Sequence, residues 1–330
     1  MNNGKTYPIQ KSCLYRMRNR RKLAVLLDLP SDYFKSSHEY KYDEHSEPKP
    51  NGKGIRNYMV PEDSLKQIQK KLCKLISRIE TPDWLVSGKK NNSYINNAQR
   101  HISASFVKTM DISSFYDSSG RNYVYNAFRD VFLMDKDIAW IMTDLVTYKG
   151  ILPTGSPSSQ IVIFWAYKDM FEEIKEVAER YGCTFTLYVD DMTFSSDNPI
   201  PHNMRDEVAK ILNKNGFRAK KEKDHYYQTK DAKKITGVVI KNGEMAVPNH
   251  NRRVILKQYE KCLVEKNIKE IEILKGMLCS ARQIEPEIFP AIAGFLEHYK
   301  KELSEFSKNR YYKTVRQKKR LRETAEIEAV

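Results

Sequence analysis

Three aspartates carry the clearest candidate chemistry of this sequence. Residues 105–110 predict a strand that ends at Asp111, and Asp190 and Asp191 separate two runs rich in β-branched and aromatic residues. Those runs, residues 183–189 and 192–195, predict a hairpin with the two carboxylates at its tip. If the strands are neighbours, the three carboxylates repel one another unless hard cations bind them. Two Mg²⁺ ions, spaced by about 3.5–4 Å, would activate an attacking hydroxyl and stabilise a leaving pyrophosphate.

The Asp-Asp pair also has a plainer interpretation. Aspartate is common in turns for conformational reasons alone, so Asp190 and Asp191 by themselves also fit a solvated hairpin tip that binds nothing. The motifs around them decide between the two interpretations.

The charge of the chain predicts a polyanionic partner. Its 330 residues include 57 Lys and Arg against 42 Asp and Glu, a net charge of +15, and 40% of them are hydrophobic. The hydrophobic fraction excludes a disordered chain. The positive excess favours nucleic acid or an acidic membrane surface as the partner.

Membrane insertion, disulfides and zinc are not expected. No stretch approaches the ~20 apolar residues that span a bilayer, and the basic N-terminal cluster precedes only a short apolar run without a cleavage site. The five cysteines are scattered and form no C-x-x-C pair, which argues against a disulfide framework and against a zinc site. A cytoplasmic protein with no membrane partner is therefore expected.

Helices and strands must position the aspartates. Apolar residues at helical spacing predict a helix that starts at residues 61–64. One long helix is expected to end near Arg180, and Asn242-Gly243 predicts the turn of a second hairpin. Residues 44–54, rich in Pro, Gly and charge, are expected to form a mobile loop. The order of strand, helices, hairpin, helix and strands predicts an α+β fold with helices on one face of a sheet.

Four motifs, in this order along the chain, resemble those of reverse transcriptases. The first three are Asp111-Ile-Ser-Ser-Phe-Tyr116, Leu152-Pro-Thr-Gly-Ser-Pro157 and Tyr188-Val-Asp-Asp191, and the last is Gly216-Phe-Arg-Ala-Lys-Lys-Glu-Lys223. They are similar to the first aspartate motif, the L-P-Q-G-x-P loop, the Y-x-D-D box and the glycine-to-lysine motif of that family. The resemblance extends over residues 53–247.

Two shorter elements narrow the resemblance to bacterial retron reverse transcriptases. Asn97-Ala-Gln-Arg-His101 is similar to their N-A-x-x-H element, and Ile235-Thr-Gly237 resembles their V-T-G element. The resemblance implies a right-hand polymerase. Fingers and an N-terminal extension would occupy residues 1–105, the palm residues 106–248 with finger-type helices at about 119–155, and a helical thumb with a basic tail residues 249–330.

The resemblance also implies the roles of the catalytic residues. Asp111, Asp190 and Asp191 would hold two Mg²⁺ ions, for which Mn²⁺ could substitute, and the backbone carbonyl of Ile112 could add a ligand. Lys223 could protonate the leaving pyrophosphate as a general acid.

The nucleotide site implied by the resemblance draws on several segments. Its residues are Lys53, Arg56, Ser113, Ser114, Phe115, Tyr116, Thr154 and Gly155. Tyr116 stands where the family places the ring that excludes a ribose 2′-hydroxyl, whereas core packing is the alternative for Phe115 and Tyr116. Thr154 replaces the usual glutamine, so the contacts of that glutamine are not carried over. Arg56 and Lys53 would bind the triphosphate.

RNA contacts are expected in two places. Asn97 and His101 would either bind RNA or order a loop, with a buried structural histidine as the alternative. The basic tail, which includes tyrosines, would neutralise phosphates and stack on bases, although a solvated tail has the same composition. Its candidate residues are Arg316, Lys318, Lys319, Arg320 and Arg322.

The sequence thus predicts an enzyme that makes single-stranded DNA (msDNA) from its own structured non-coding RNA, primed from an RNA 2′-hydroxyl. Expected partners are that RNA, the RNA–DNA product, dNTPs and a separate effector protein in anti-phage defence. The alternatives are a group II intron, diversity-generating or abortive-infection reverse transcriptase, or an RNA-binding antitoxin or scaffold with incidental catalysis.

Overall fold

The computed structural model describes residues 6–48 and 54–310. The chain forms two compact units, one ending at Asp231 and the other beginning at Ala232. The division into fingers, palm and thumb stays a prediction, since compactness separates these two units only. Among the described residues, no helix is both long enough and apolar enough to cross a bilayer.

The first unit mixes helices with two antiparallel sheets. Its helices are α1 (Arg20–Leu26), α2 (Asp63–Ile76), α3 (Tyr94–Gln99), α4 (Arg121–Asn126), α5 (Lys136–Val146), α6 (Ser159–Ala166), α7 (Lys168–Arg180) and α8 (His202–Lys214). Its strands are β1 (Tyr42–Pro48), β2 (Ile55–Pro61), β3 (Phe106–Asp111), β4 (Thr184–Tyr188), β5 (Asp191–Ser196) and β6 (His225–Tyr227). The expected α+β class is confirmed.

A four-stranded sheet in the order β4-β5-β3-β6 is the centre of this unit. Apolar residues alternate with polar ones along β4 and β5. The apolar ones belong to the core: Phe185, Leu187, Met192 and Phe194. The helices supply the rest of that core, and the apolar residues of α2 are buried as their spacing predicted. The expected strand before Asp111 and the expected hairpin around Asp190 and Asp191 are both present.

Two local predictions were wrong. Residues 44–48 of the segment expected to be a mobile loop instead belong to β1, which pairs with β2 over seven residues to form a two-stranded ribbon. The expected single helix ending near Arg180 is two helices, α6 and α7, because Tyr167 between them leaves the helical conformation at φ −122° and ψ 22°. The Tyr167 ring is buried, and its hydroxyl accepts a hydrogen bond from the Gly120 amide.

The second unit pairs a small sheet with helices. Its elements are β7 (Lys233–Ile235), β8 (Val238–Lys241), β9 (Glu244–Ala246), α9 (Asn249–Glu265), α10 (Ile268–Arg282) and α11 (Pro290–His298). Asn242 and Gly243 form the expected turn between β8 and β9, both with positive φ. The Arg252 guanidinium pairs with the Glu285 carboxylate within this unit.

Candidate active site

The three aspartates meet at one end of the central sheet. Asp111 is the last residue of β3 and Asp191 the first of β5, and the antiparallel register places them opposite each other. Asp190 lies in the turn between β4 and β5. One carboxylate oxygen from each residue lies within 4.8 Å of those of the other two. The structure therefore brings together the side chains that the sequence predicted as a cluster.

This cluster is electrostatically unfavourable on its own. Burial raises the pKa of both Asp190 and Asp191, and the neighbouring carboxylates raise it further, while Lys223 opposes the rise. The Lys223 Nζ lies 2.7 Å from Asp111 Oδ1 and 3.6 Å from Asp191 Oδ1. Burial alone would lower the pKa of Lys223, but its hydrogen bond to Asp111 and the aspartate charges raise it instead. The site thus favours added positive charge.

The donor set fits hard divalent cations. Carboxylate oxygens are the ligands that Mg²⁺ and Mn²⁺ prefer, and a bound dication would offset the repulsion within the cluster. The Ile112 amide donates to the Asp190 carbonyl at 3.2 Å, and the Ile112 side chain is buried. The role of the Ile112 carbonyl as a ligand stays a prediction.

The turn that carries Asp190 is strained and braced. Val189 has a φ of +60°, a conformation that is unfavourable for a β-branched residue and costs on the order of 1–3 kcal/mol. Its amide donates to the Ser87 Oγ at 2.9 Å. On the same edge, the Val86 amide donates to the Leu187 carbonyl, and the Leu187 amide donates to the Trp84 carbonyl. Hydrogen bonds from residues 84–87 therefore fix the hairpin along the β4 side of its turn.

A cleft of about 600 Å³ opens over the aspartates. The predicted site residues that line it, besides the three aspartates, are Arg56, Ile112, Ser114, Phe115, Tyr116, Thr154 and Lys223. Most of the predicted nucleotide site therefore borders the same space as the carboxylates.

The two adjacent aromatic residues after Asp111 have different environments. The Phe115 ring is 4% exposed and packs against Phe171 and Phe217, with ring centroids 6.2 and 5.4 Å apart. This is the core packing that the sequence left open as its alternative. Tyr116 is partly buried at the cleft, and burial, followed by the charge of Asp190, raises the pKa of its hydroxyl. A neutral ring therefore borders the carboxylates.

The loop with Thr154 and Gly155 packs against the ribbon. The Met59 amide donates to the Thr154 carbonyl at 2.7 Å. Gly155 has a φ of +110°, and a Cβ there would lie 3.3 Å from the Met59 carbonyl oxygen and from Val60 Cγ2. Only glycine suits both that conformation and that close approach.

The remaining nucleotide candidates differ in how firmly they are held. The Ser113 amide donates to the Arg218 carbonyl at 2.8 Å, whereas Ser114 is exposed with a φ of +48°. Arg56 is exposed on β2 and borders the cleft. Lys53 lies outside the described residues.

The predicted RNA contact of Asn97 and His101 is corrected by their burial. Both residues are 0% exposed, so neither side chain presents a surface to RNA. The His101 ring instead contacts Ser195 Oγ at 2.6 Å and Thr186 Oγ1 at 2.7 Å. The other predicted RNA contacts lie outside the described residues: Arg316, Lys318, Lys319, Arg320 and Arg322.

Sequence reasoning missed the residues that support the site. Asp224, directly after Lys223, pairs with Lys108 on β3 and with Arg205 on α8. Its position beside a motif lysine was the available signal. Ser87 had no local signal, because its contact with Val189 joins segments 102 residues apart.

Comparison with known families identifies the chain. Residues 47–240 match the family model described as reverse transcriptase (RNA-dependent DNA polymerase). The chain is 27% identical over 212 residues to the retron Se72 reverse transcriptase of Salmonella heidelberg, covering 61% of this chain and 55% of that protein. It is 25% identical over 228 residues to the retron Ec86 reverse transcriptase of Escherichia coli, covering 68% and 71%.

Solved structures give weaker likenesses. The foamy viral protease–reverse transcriptase in complex with double-stranded DNA matches with a TM-score of 0.45 and 16% identity, over 84% of this chain and 44% of that chain. Apo telomerase from Candida tropicalis matches with a TM-score of 0.45 and 13% identity, over 63% and 55%. The family assignment rests on the sequence match alone.

The family model spans more than half of the chain and includes all three aspartates, Tyr116 and Lys223. The chain spans little more than half the length of the Se72 relative and about seven tenths of the Ec86 relative. The expected right-hand polymerase class and the resemblance to retron enzymes are confirmed by these matches. The chain therefore belongs to the reverse transcriptase family, and the relatives named above are retron reverse transcriptases.

Proposed function

We propose that this protein synthesises DNA on an RNA template. The observation that carries the proposal is the convergence of Asp111, Asp190 and Asp191 at one cleft, which Tyr116 also borders. Paired strand ends hold two of these carboxylates in register, so the arrangement is set by the sheet. Metal-dependent nucleotidyl transfer requires a fixed set of oxygen ligands beside a space for the nucleotide.

The residues proposed for this site would have different roles in the reaction. The three aspartates would hold two divalent cations, which when bound supply the charge that activates the attacking hydroxyl and stabilises the leaving pyrophosphate. Lys223, within hydrogen-bond distance of Asp111, would donate a proton to the leaving pyrophosphate. Tyr116 would exclude a ribose 2′-hydroxyl, and Arg56 and Lys53 would bind the triphosphate.

The finer proposal is a retron enzyme. The protein would copy a structured non-coding RNA from a 2′-hydroxyl within that RNA and remain bound to the RNA–DNA product. A separate effector protein in anti-phage defence would be a further partner. The family of the relatives and the net charge of +15 support this proposal, and the basic tail is the candidate for selecting the RNA.

A single substitution tests the active-site assignment. Asp190→Asn keeps the side-chain volume but removes one metal-binding charge, so primer extension on an RNA template should be lost while RNA affinity stays nearly unchanged. Asp197→Asn, at an exposed aspartate just beyond β5, is the matched control and should extend primers normally. Extension by Asp190→Asn at the rate of the control would refute the assignment.

A second experiment tests the retron proposal. The protein would be expressed together with the DNA that flanks its gene, and the nucleic acid that copurifies would be treated with a 2′,5′-debranching enzyme. A shift of the product from a branched RNA–DNA species to linear DNA is expected. Products that begin only at free 3′ ends would favour another class of bacterial reverse transcriptase.

A further inference from the structure

One face of the β4–β5 hairpin is polar yet buried. Thr186, Thr193 and Ser195 are 1%, 1% and 3% exposed. Thr186 stands opposite Thr193 in the register, and Ser195 follows Thr193 by two residues, so all three lie on the same face. Buried hydroxyl groups require hydrogen-bond partners. We therefore expect another part of the chain to offer hydrogen-bond partners to these hydroxyl groups.

His101 provides that partner for both strands at once. Its Nδ1 lies 2.6 Å from Ser195 Oγ on β5, and its Nε2 lies 2.7 Å from Thr186 Oγ1 on β4. The residue follows α3, which packs against β4. Both ring nitrogens are occupied, so the imidazole cross-links the two strands that lead into the turn with Asp190.

The charge state of the ring suits this cross-link. Burial, with a smaller contribution from Arg100, lowers the pKa of His101 to about 3. The neutral ring has one N–H donor and one acceptor nitrogen. It can therefore donate to one hydroxyl and accept from the other.

We propose that His101 is a positioning residue that fixes the β4–β5 hairpin and thereby the spacing of the metal-binding aspartates. This proposal deepens the proposed function and rests on it. The conformation of the turn is unfavourable by itself, because Val189 is strained and the carboxylates repel one another. Such a turn persists only where its surroundings over-determine it.

Two residues from one stretch of the chain, residues 87–101, brace the hairpin. Ser87 holds the Val189 amide at the turn itself, and His101 links the strands four residues from the aspartates on either side. Loss of the imidazole would leave two buried hydroxyls without their partner and free the strands to shift. A displacement of the order of 1 Å is enough to slow catalysis strongly.

The test replaces the ring in graded steps. His101→Leu fills space without polar atoms, while His101→Asn and His101→Gln each place an amide nitrogen near one of the two ring nitrogens. We expect His101→Leu to lower kcat by about 10–100-fold, as loss of residues that orient metal ligands does. The Mg²⁺ concentration for half-maximal rate should rise, whereas the Kd for RNA should not change. The amides should recover part of both losses.

A stability control separates positioning from general destabilisation. Leu72→Ala empties a fully buried site in α2, which packs against α5, α6 and β2, and should lower Tm without moving kcat or the Mg²⁺ midpoint below that Tm. If His101→Leu behaves like Leu72→Ala, the positioning role is wrong. A loss of RNA affinity with unchanged kcat would overturn it in favour of RNA contact.

A readout without catalysis keeps this test distinct from that of the proposed function. The rise in Tm that Mn²⁺ causes in the free protein should shrink in His101→Leu and in Ser195→Ala, which removes one end of the cross-link. An inactive wild-type protein that still shows this difference would refute the polymerase proposal alone. An unchanged Mn²⁺ response in both variants would refute the positioning role.

Discussion

The hairpin with the aspartates and the ribbon with Arg56 border the same cleft but are built differently. The strands β4 and β5 belong to a four-stranded sheet, and five of the six residues of β5 are buried. The ribbon has only two strands, and six of the seven residues of β1 are exposed. A two-stranded hairpin on its own is marginally stable, so the two walls of the cleft differ in local stability.

The ribbon is attached to the rest of the unit mainly at its base. The Met59 amide bonds to the Thr154 carbonyl, and Gln69 donates to the Tyr42 hydroxyl. Opposite Met59 in the ribbon, Glu44 pairs with the exposed Lys149 side chain. We expect a corresponding difference in order: the carboxylates are fixed before substrate arrives, whereas Arg56, which is proposed to bind the triphosphate, is ordered by it.

The largest effect within this comparison is expected at Lys223. Lys223→Ala would remove the proposed proton donor beside the carboxylates, so the single-turnover rate at saturating dNTP should fall by about 10²–10⁴-fold. Lys221→Ala, at an exposed neighbour, is the control. A variant with normal rate would exclude Lys223 as the general acid and leave Lys220, which also lines the cleft, as the next candidate.

Arg56 tests the other wall. Arg56→Ala should raise the KM for dNTP by about 10–100-fold, the value of a hydrogen-bonded charge contact, and change kcat much less. Glu47→Gln, directly across the ribbon from Arg56, should leave KM near the wild-type value. A fall in kcat with unchanged KM would place Arg56 among the chemical groups and break the comparison.

A substitution at Tyr116 tests whether this residue, beside the carboxylates, selects the sugar. Tyr116→Ala should open the space of a 2′-hydroxyl and reduce the preference for dNTP over rNTP by about 10–100-fold, in line with the discrimination that one small group supplies. Phe115→Leu, which keeps an apolar side chain in the core beside the Tyr116 ring, should change the preference much less. The measurement is the ratio of kcat/KM for the two nucleotides, and an unchanged ratio in an active Tyr116 variant would move the selection elsewhere.

The smallest effect is expected at the ribbon attachment. Glu44 accepts hydrogen bonds from Lys149 and Tyr148, and the Lys149 contact chiefly lowers the pKa of its carboxylate. Because this pair is exposed, Glu44→Gln should raise the KM for dNTP by no more than a few-fold, and added salt should reduce the difference. A loss as large as that of Arg56→Ala would show that the ribbon depends on this contact.

The sequence predicted the parts of the fold that have a local signature. The apolar spacing of α2, the strand before Asp111 and the Asn242-Gly243 turn can each be recognised from residues close together in the sequence. The ribbon strand β1 was missed because it is exposed on both faces, so no alternation of polar and apolar residues marks it. The break at Tyr167 was missed because neither glycine nor proline marks it, so the apolar residues of α6 and the amphipathic pattern of α7 suggest one continuous helix.

The support of the site could not be predicted because it is non-local. His101 contacts residues 94 and 85 positions away, and the motif that contains it suggested RNA instead. The partners of Asp224 come from β3 and α8. Chemistry-bearing residues were visible by type and order, whereas the residues that hold them depend on which segments the tertiary fold brings together.

Amide hydrogen exchange tests the central claim, that a fixed carboxylate wall faces a ribbon ordered by substrate. It would be measured on the free protein and on its complex with Mg²⁺, an RNA template, a primer ending in a dideoxynucleotide and the next dNTP. We predict that β3 and β5 exchange slowly in both states, while β2 exchanges rapidly in the free protein and slowly in the complex. Equal protection of β2 and β5 in the free protein, or no change in β2 on binding, would contradict the account.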